Sequence, residues 1–274
     1  MRVLGIIASP RKLGNSEICV KEIFKQLPAK WDKKIINLSQ LHIEPCKACY
    51  ACLPEGNSCV LDDDLELFLR QLQWAQRVVI AAPVYFLGEQ TSVKLLTDRL
   101  ISTLNETVTY CSTKPCVIAV PHAINNWEGY GREAMLNFAH FLRLLVLDIR
   151  VLNKMLPGDV VDEDGLTQLH QLAEALTTNT ERNWKDKNII CCPHCHSSLL
   201  QVHKDMTWHC VMCGESGDIV DWFGEMTALD TNREVREFRY NPGGLNHHGE
   251  TLLNVNAEFR KRRREVIEHL KPYK

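Results

Sequence analysis

The chain has 274 residues, 45% of them hydrophobic and 24% charged, with a net charge of −2. This is ordinary globular composition, long enough for one large domain plus a smaller module. The near-zero charge gives no reason to expect nucleic acid or an anionic membrane as a general partner, and no apolar run reaches the roughly 20 residues that span a bilayer. Twelve cysteines are many for a reducing compartment, where they are better metal-ligand candidates than disulfide candidates. The opening MRVLGIIASP has too short an apolar run for a signal peptide, and no small-residue cleavage site follows it. It reads as a buried first strand, and the chain is expected to be cytoplasmic.

Residues 1–8 (MRVLGIIA), 77–82 (RVVIAA) and 116–120 (CVIAV) are continuous apolar runs, which fit strands buried on both faces of a parallel sheet. Residues 34–38 are a weaker strand and 144–152 a fifth. Helical patterns lie between them. Residues 16–27 place Ile18, Ile23 and Leu27 near one face. Residues 62–76 open on Asp62–Asp64, which suit a helix N-terminus, and then carry Leu65, Phe68, Leu69 and Leu72. Residues 90–104, 130–143 and 166–177 are further helices. The alternation predicts an α/β doubly wound five-stranded parallel sheet over residues 1–183. Ligands in such sheets sit beyond the carboxyl ends of the strands.

Residues 181–188 are a polar linker. A module over 189–223 follows, with two CxxC pairs around strand-like SLLQVH and MTWHC. Residues 224–274 are a loop-rich segment, with NPGG at 241–244, and a helix over 256–274 carrying the basic run Lys261–Arg264. Glu258, Glu265 and Glu268 are spaced to pair with that run. It therefore reads as a solvated helix face, and nucleic-acid binding by it is the weaker reading.

The first strand runs into Ser9-Pro10-Arg11-Lys12-Leu13-Gly14-Asn15-Ser16 and then a helix. A helix start offers unpaired N–H groups and a positive dipole end to a phosphate. Ser9, Asn15 and Ser16 add short donors, Gly14 permits close backbone approach, and Arg11 or Lys12 adds charge. The loop is neither G-x-x-x-x-G-K-[ST] nor G-x-G-x-x-G, which disfavours P-loop and dinucleotide readings; a polar turn with a helix cap is the plain alternative. After the third strand comes Ala82-Pro83-Val84-Tyr85-Phe86, which can lay backbone and an aromatic along a flat ring. After the fourth comes Pro121-His122, leading to Trp127-Glu128-Gly129-Tyr130-Gly131-Arg132-Glu133. Taken singly, Tyr85 also reads as core, and Gly129 and Gly131 as a turn.

SPRKLGNS, APVYF and SVKLLTDR (92–99) together resemble the flavodoxin-like NAD(P)H-dependent FMN reductase family. A compact cysteine run after strand two, followed by Asp62–Asp64, narrows the resemblance to its iron–sulfur flavoprotein branch, over about residues 1–180. The resemblance implies an FMN phosphate loop at Ser9, Arg11, Gly14, Asn15 and Ser16. It implies an isoalloxazine-side loop at Pro83, Val84, Tyr85 and Phe86. A third flavin-side loop would run from Gly129 through Gly131 to Glu133, where Tyr130 and Arg132 interrupt a more glycine-rich pattern. It further implies NAD(P)H or a ferredoxin-like carrier as donor, an unidentified acceptor, and a homo-oligomer (dimer or tetramer).

Cys46, Cys49, Cys52 and Cys59 follow C-x2-C-x2-C-x6-C. Soft thiolates select zinc, copper(I) or iron–sulfur clusters. Cysteines at every third position wrap a compact turn around something larger than one ion, as in ferredoxin-type [4Fe–4S] loops. A [4Fe–4S] cluster is favoured over zinc. Cys192-x2-Cys195, fourteen residues, then Cys210-x2-Cys213 is instead a two-knuckle site resembling a zinc ribbon, with zinc favoured and a rubredoxin-like iron the alternative. Cys191 is set aside as a ligand. His194, His196, His203 and His209 read as exposed ribbon residues, and Cys111 and Cys116 as small buried hydrophobes.

Three functions follow. The first is an FMN and [4Fe–4S] redox flavoprotein. The second is an NAD(P)H-dependent FMN or quinone reductase without a working cluster. The third is a non-catalytic interaction module built on the ribbon and basic tail. No residue set suggests an activated nucleophile, and the catalytic residues are not identifiable from the sequence.

Overall fold

The computed structural model describes residues 1–49, 51–52, 57–103, 114–182, 189–218 and 257–274. Cys111, NPGG and the rest of 219–256 lie outside them. In chain order the elements are β1 (Arg2–Ile7), α1 (Asn15–Gln26), β2 (Asp32–Asn37), α2 (Leu65–Trp74), β3 (Arg77–Ala81), β4 (Val84–Tyr85), β5 (Gly88–Glu89), α3 (Thr91–Arg99), β6 (Pro115–His122), α4 (Gly131–Phe141), β7 (Leu145–Asn153), α5 (Glu163–Thr178), β8 (Leu200–Val202), β9 (Thr207–Cys210), β10 (Ser216–Asp218) and α6 (Arg263–Leu270).

β2, β1, β3, β6 and β7 form one sheet in that order, and all pairings are parallel. Apolar residues of the central strands face both ways, so each face needs its own helix layer. Leu4, Ile6, Val78, Ile80 and Ile118 pack against Phe68 and Leu72 of α2, Val93 and Leu96 of α3, and Met135 and Phe138 of α4. Val3, Ile7, Val79, Val117 and Leu147 pack against Ile18 and Ile23 of α1 and Leu169, Leu172 and Leu176 of α5. β2 is the wetter edge strand. Its Lys33 and Lys34 discourage pairing with a further strand, and Lys34 also lies over the Trp74 ring at 4.3 Å.

β8, β9 and β10 form a small antiparallel sheet in the order β10-β9-β8. Its interior is Cys192, Cys195, Trp208 and Cys210, with Leu200 and Met212 against them. So few apolar groups cannot offset the chain entropy of ordering the module without a further staple.

The basic tail is tied to the flavodoxin-like domain. Arg262 pairs with Asp159 at 2.9 Å and with Glu265 at 2.7 Å. The buried Tyr273 hydroxyl donates to Glu22 of α1 at 2.5 Å, Lys21 donates to the Tyr273 carbonyl at 2.8 Å, and Lys25 sits 3.9 Å above the Tyr273 ring.

Burial alone would raise the Glu22 carboxyl, but the Tyr273 hydroxyl, Lys25 and His170 hold it below its ordinary value of 4.5. A depressed folded value contributes stability that is present above the unfolded value and lost as pH falls through the folded one. Tyr273→Phe is expected to lower the unfolding free energy by about 1 kcal/mol at neutral pH. Urea midpoints should show this difference shrinking as pH drops below the carboxylate range. A constant difference down to full protonation would contradict the assignment.

Candidate active site and metal centres

A cavity of about 280 Å³ opens where the carboxyl ends of β1, β3, β6 and β7 meet. Ser9, Arg11, Gly14, Asn15 and Ser16 line one side, and Pro83, Val84, Tyr85, Phe86 and Leu87 another. Pro121, His122, Ala123, Ile124 and Trp127 follow β6, and Lys154, Met155 and Pro157 follow β7. The β7 group carries no motif. The only signal for it is its position after the fifth strand.

At the head of α1 the N-cap is Gly14, whose lack of a side chain leaves no cap hydrogen bond. The Asn15 and Ser16 N–H groups lie in the first turn, where no intrahelical acceptor exists. A Cβ on Gly14 would come 3.1 Å from Arg11 Cβ and 3.5 Å from Ser9 Oγ, so the bare glycine keeps this cradle open. Ser9 and Ser16 are buried. Glu17 closes the turn from behind by accepting the Leu13 N–H at 2.7 Å. Asn15 is not a free donor as expected: its amide donates to the Lys154 carbonyl at 2.9 Å and accepts the Gly158 N–H at 3.0 Å. It fastens the β7 loop to the α1 loop. Lys154 turns its ammonium to Asp162 and Asp164, at 2.7 and 3.2 Å.

The aromatic wall is the β4–β5 hairpin. Its turn residues Phe86 and Leu87 adopt φ of +47° and +67°, left-handed conformations that cost a side-chain-bearing residue about 1 kcal/mol or more each. Gly129 and Gly131 do not line the cavity. They brace this hairpin from behind. A Cβ on Gly129 would fall 2.1 Å from the Leu87 oxygen, one on Gly131 would fall 2.6 Å from Val84 Cγ2, and Tyr130 N–H donates to Leu87 O at 2.7 Å.

His122, largely buried, has Nδ1 3.1 Å from the Ile124 carbonyl. A carbonyl only accepts, so Nδ1 carries the proton and Nε2 presents a lone pair. Burial lowers the imidazole's pKa, against the opposing pull of Ile124 O and Glu128, and the ring is neutral near pH 7.

Cys46, Cys49, Cys52 and Cys59 line one small cavity with Arg99. It sits after β2, whose carboxyl end lies on the same edge of the sheet as the larger cavity. The acids expected at the start of α2 do meet its first N–H and do more besides. Asp63 accepts the Glu44 N–H at 2.9 Å and the Leu65 N–H at 3.1 Å, and Asp64 accepts the His42 N–H at 2.7 Å. They tie the two ends of the cysteine loop together. Asp63 is also held below its ordinary value, because Arg99 and the Glu44 and Leu65 amides outweigh its burial.

The second quartet is drawn tight. Cys192 Sγ lies 3.6 Å from Cys213 Sγ, and Cys195 Sγ lies 3.5 Å from Cys210 Sγ. All four sulfurs fall within 4.8 Å of one another. Four thiolates 2.3 Å from one central ion stand about 3.8 Å apart, so this set fits a single tetrahedral metal. Among the described residues no other group of three or more His, Cys, Asp or Glu side chains is gathered so closely. The first quartet is not drawn together in this way, although its four cysteines line one cavity. The two knuckles match each other: His196 N–H donates to Cys192 O and Gly214 N–H to Cys210 O, both at 2.9 Å, and both residues have positive φ.

His196 is not an exposed ribbon residue. It is half-buried, with Nε2 3.3 Å from Glu181. It belongs to the seam between ribbon and sheet domain. Arg132 donates to His196 O at 2.9 Å, Ser198 Oγ donates to the buried Glu133 at 2.7 Å, and His140 Nε2 meets Cys195 O at 3.0 Å. Arg132, which breaks the expected glycine-rich pattern, is thus a ribbon contact.

The sheet order, the strand-end cavity and the phosphate-type helix start agree with the comparisons to known proteins. Residues 1–120 match the model described as NADPH-dependent FMN reductase. An iron–sulfur flavoprotein of Methanocaldococcus jannaschii is 33% identical over 100 residues, covering 36% of this chain and 51% of the relative. One from Methanosarcina thermophila is 35% identical over 104 residues, covering 37% and 53%. A second M. jannaschii iron–sulfur flavoprotein is 27% identical over 158 residues, covering 57% and 74%. The first matches therefore span about half the length of these curated relatives. Among solved structures, a flavone reductase superposes with a TM-score of 0.61 at 18% identity, covering 96% of this chain and 92% of that one, a likeness of fold.

Gly129→Ala forces a side chain into the space of Leu87 O at positive φ. It is expected to destabilise the protein by about 1–3 kcal/mol in urea or thermal unfolding. Unchanged stability would show that the hairpin is not braced this way.

Proposed function

We propose that the chain is an oxidoreductase that binds FMN in the strand-end cavity and a [4Fe–4S] cluster at Cys46, Cys49, Cys52 and Cys59, and that it moves electrons between a reduced donor and an acceptor. The observation that carries this reading is the placement of both sites on one edge of one parallel sheet. When bound, the flavin takes electrons in pairs and the cluster carries them singly.

The residues fit these groups. The Asn15 and Ser16 N–H groups and the Ser9 and Ser16 hydroxyls can hold a phosphate, with the α1 dipole in favour. The Val84–Phe86 segment forms an aromatic-bearing wall for a flat ring, and Trp127 and Ile124 help exclude water. His122 Nε2 can accept a hydrogen bond or a proton within the cavity. NAD(P)H or a ferredoxin-like carrier is the donor in this reading, and the protein works as a homo-oligomer. Cys192, Cys195, Cys210 and Cys213 hold zinc, which staples the ribbon; iron would make it a further redox centre. Of the described residues, no helix is long and apolar enough to cross a membrane.

Anaerobically purified protein is expected to be brown and to carry FMN with iron and sulfide sufficient for one [4Fe–4S] cluster per chain. Flavin with zinc alone would favour a reductase without a cluster. Neither flavin nor iron after reconstitution would remove both readings. Cys49→Ser should abolish the cluster absorbance and leave flavin affinity within about twofold; joint loss of both cofactors would count against two separate sites.

A further inference from the structure

Arg99, the last residue of α3, is 1% exposed. Nη1 donates to the Glu44 carbonyl at 2.9 Å and is ion-paired with Asp63; Nη2 donates to Asp63 Oδ1 at 3.3 Å and to Cys59 Sγ at 3.3 Å. Glu44 lies two residues before Cys46, and Asp63 lies four after Cys59. One guanidinium therefore clasps both ends of the cysteine loop and touches the Cys59 sulfur between them.

Closing the loop does not require this arrangement. Taking a cation and an anion out of water is costly, and an apolar pair of similar volume often closes a buried contact as stably. Asp63 and Asp64 already join the loop ends through the Glu44 and His42 amides. What an apolar pair could not supply is a hydrogen bond and a positive charge at a ligand sulfur. Donors to cluster sulfurs and nearby positive charge favour the more negative, reduced state and raise its potential.

We infer that Arg99 is a positioning residue that sets the reduction potential of the cluster at Cys46, Cys49, Cys52 and Cys59, with Asp63 as its partial counterweight. The inference rests on the cluster reading above. One-electron reduction adds one negative charge to the cluster and its thiolates and changes no bond to Arg99. The guanidinium stays protonated and stabilises that added charge through the Cys59 contact. Asp63, which shares Nη2 with Cys59 and also pairs with Nη1, offsets part of its field.

The test is a mediator-coupled redox titration of the anaerobically purified full chain, with dithionite as reductant and the reduced cluster followed by electron paramagnetic resonance. Asp63→Asn removes the counter-charge and retains an acceptor for a backbone amide, so the midpoint is expected to rise. The double variant Arg99→Gln with Asp63→Asn removes both charges together and avoids an unpaired buried ion. Its midpoint is expected to fall below that of the unaltered chain. General loosening of the loop would not move the two in opposite directions. Shifts of the same sign, or unmoved midpoints, at unaltered iron and sulfide content overturn the assignment alone. Zinc in place of iron and sulfide in the unaltered chain overturns the cluster reading and this assignment with it.

Discussion

Parallel strands can be joined only by crossovers that return over a face of the sheet. That constraint arranges nearly everything else in this molecule. Five parallel strands send five carboxyl ends to one edge, and the α1, α2, α3, α4 and α5 crossovers and packing layers bury the two apolar faces. The loops at that edge are then free to carry chemistry. The α1 loop, the β4–β5 hairpin, the segment after β6 and the segment after β7 enclose one cavity. The cysteine loop after β2 occupies the flank. No single loop makes the site, and Asn15 shows how they are joined, with its two amide bonds crossing from the α1 loop to the β7 loop.

The ribbon makes use of the same scaffold from another side. Arg132, Glu133 and His140 lie along α4, and each meets the segment from Cys195 to Ser198. The same helix begins at Gly131, directly behind Val84. Helix α4 thus shares one surface with a cysteine knuckle and another with the aromatic wall of the cavity. The buried Glu133 carboxylate is satisfied from both modules, by Arg132 and by Ser198.

The strands were legible because residues buried on two faces leave unbroken apolar runs. The cysteine sets were legible because side chains that converge within one loop or one hairpin keep a spacing that is read directly along the chain. The α1 loop stood out for a similar reason: small residues in a short order at a helix start leave its first N–H groups open, and they do line the cavity. Other features were hidden because their partners are remote in sequence. Asn15 reads as a donor until Lys154, 139 residues away, takes its amide. Asp63 reads as a helix-start acid, which it is toward Leu65, but its links to Glu44 and Arg99 appear only when the fold brings them beside it. Gly129 and Gly131 mark a tight backbone approach, as glycines often do, but what they approach is the Leu87 turn and Val84, and the cavity lies beyond. His196 adopts a left-handed conformation that composition would assign to glycine.

The Tyr273–Glu22 contact joins residues 251 positions apart. It places the ribbon topologically inside the sheet domain, as an insertion whose two ends return to the same body. A single cut in the backbone between the ribbon and α6 would leave two fragments still held together by that buried contact and its lysine partners. The cost falls on assembly: a pairing of such sequence separation must wait for a large loop to close. The last described residues thus return to α1, one of the first elements of the sheet domain.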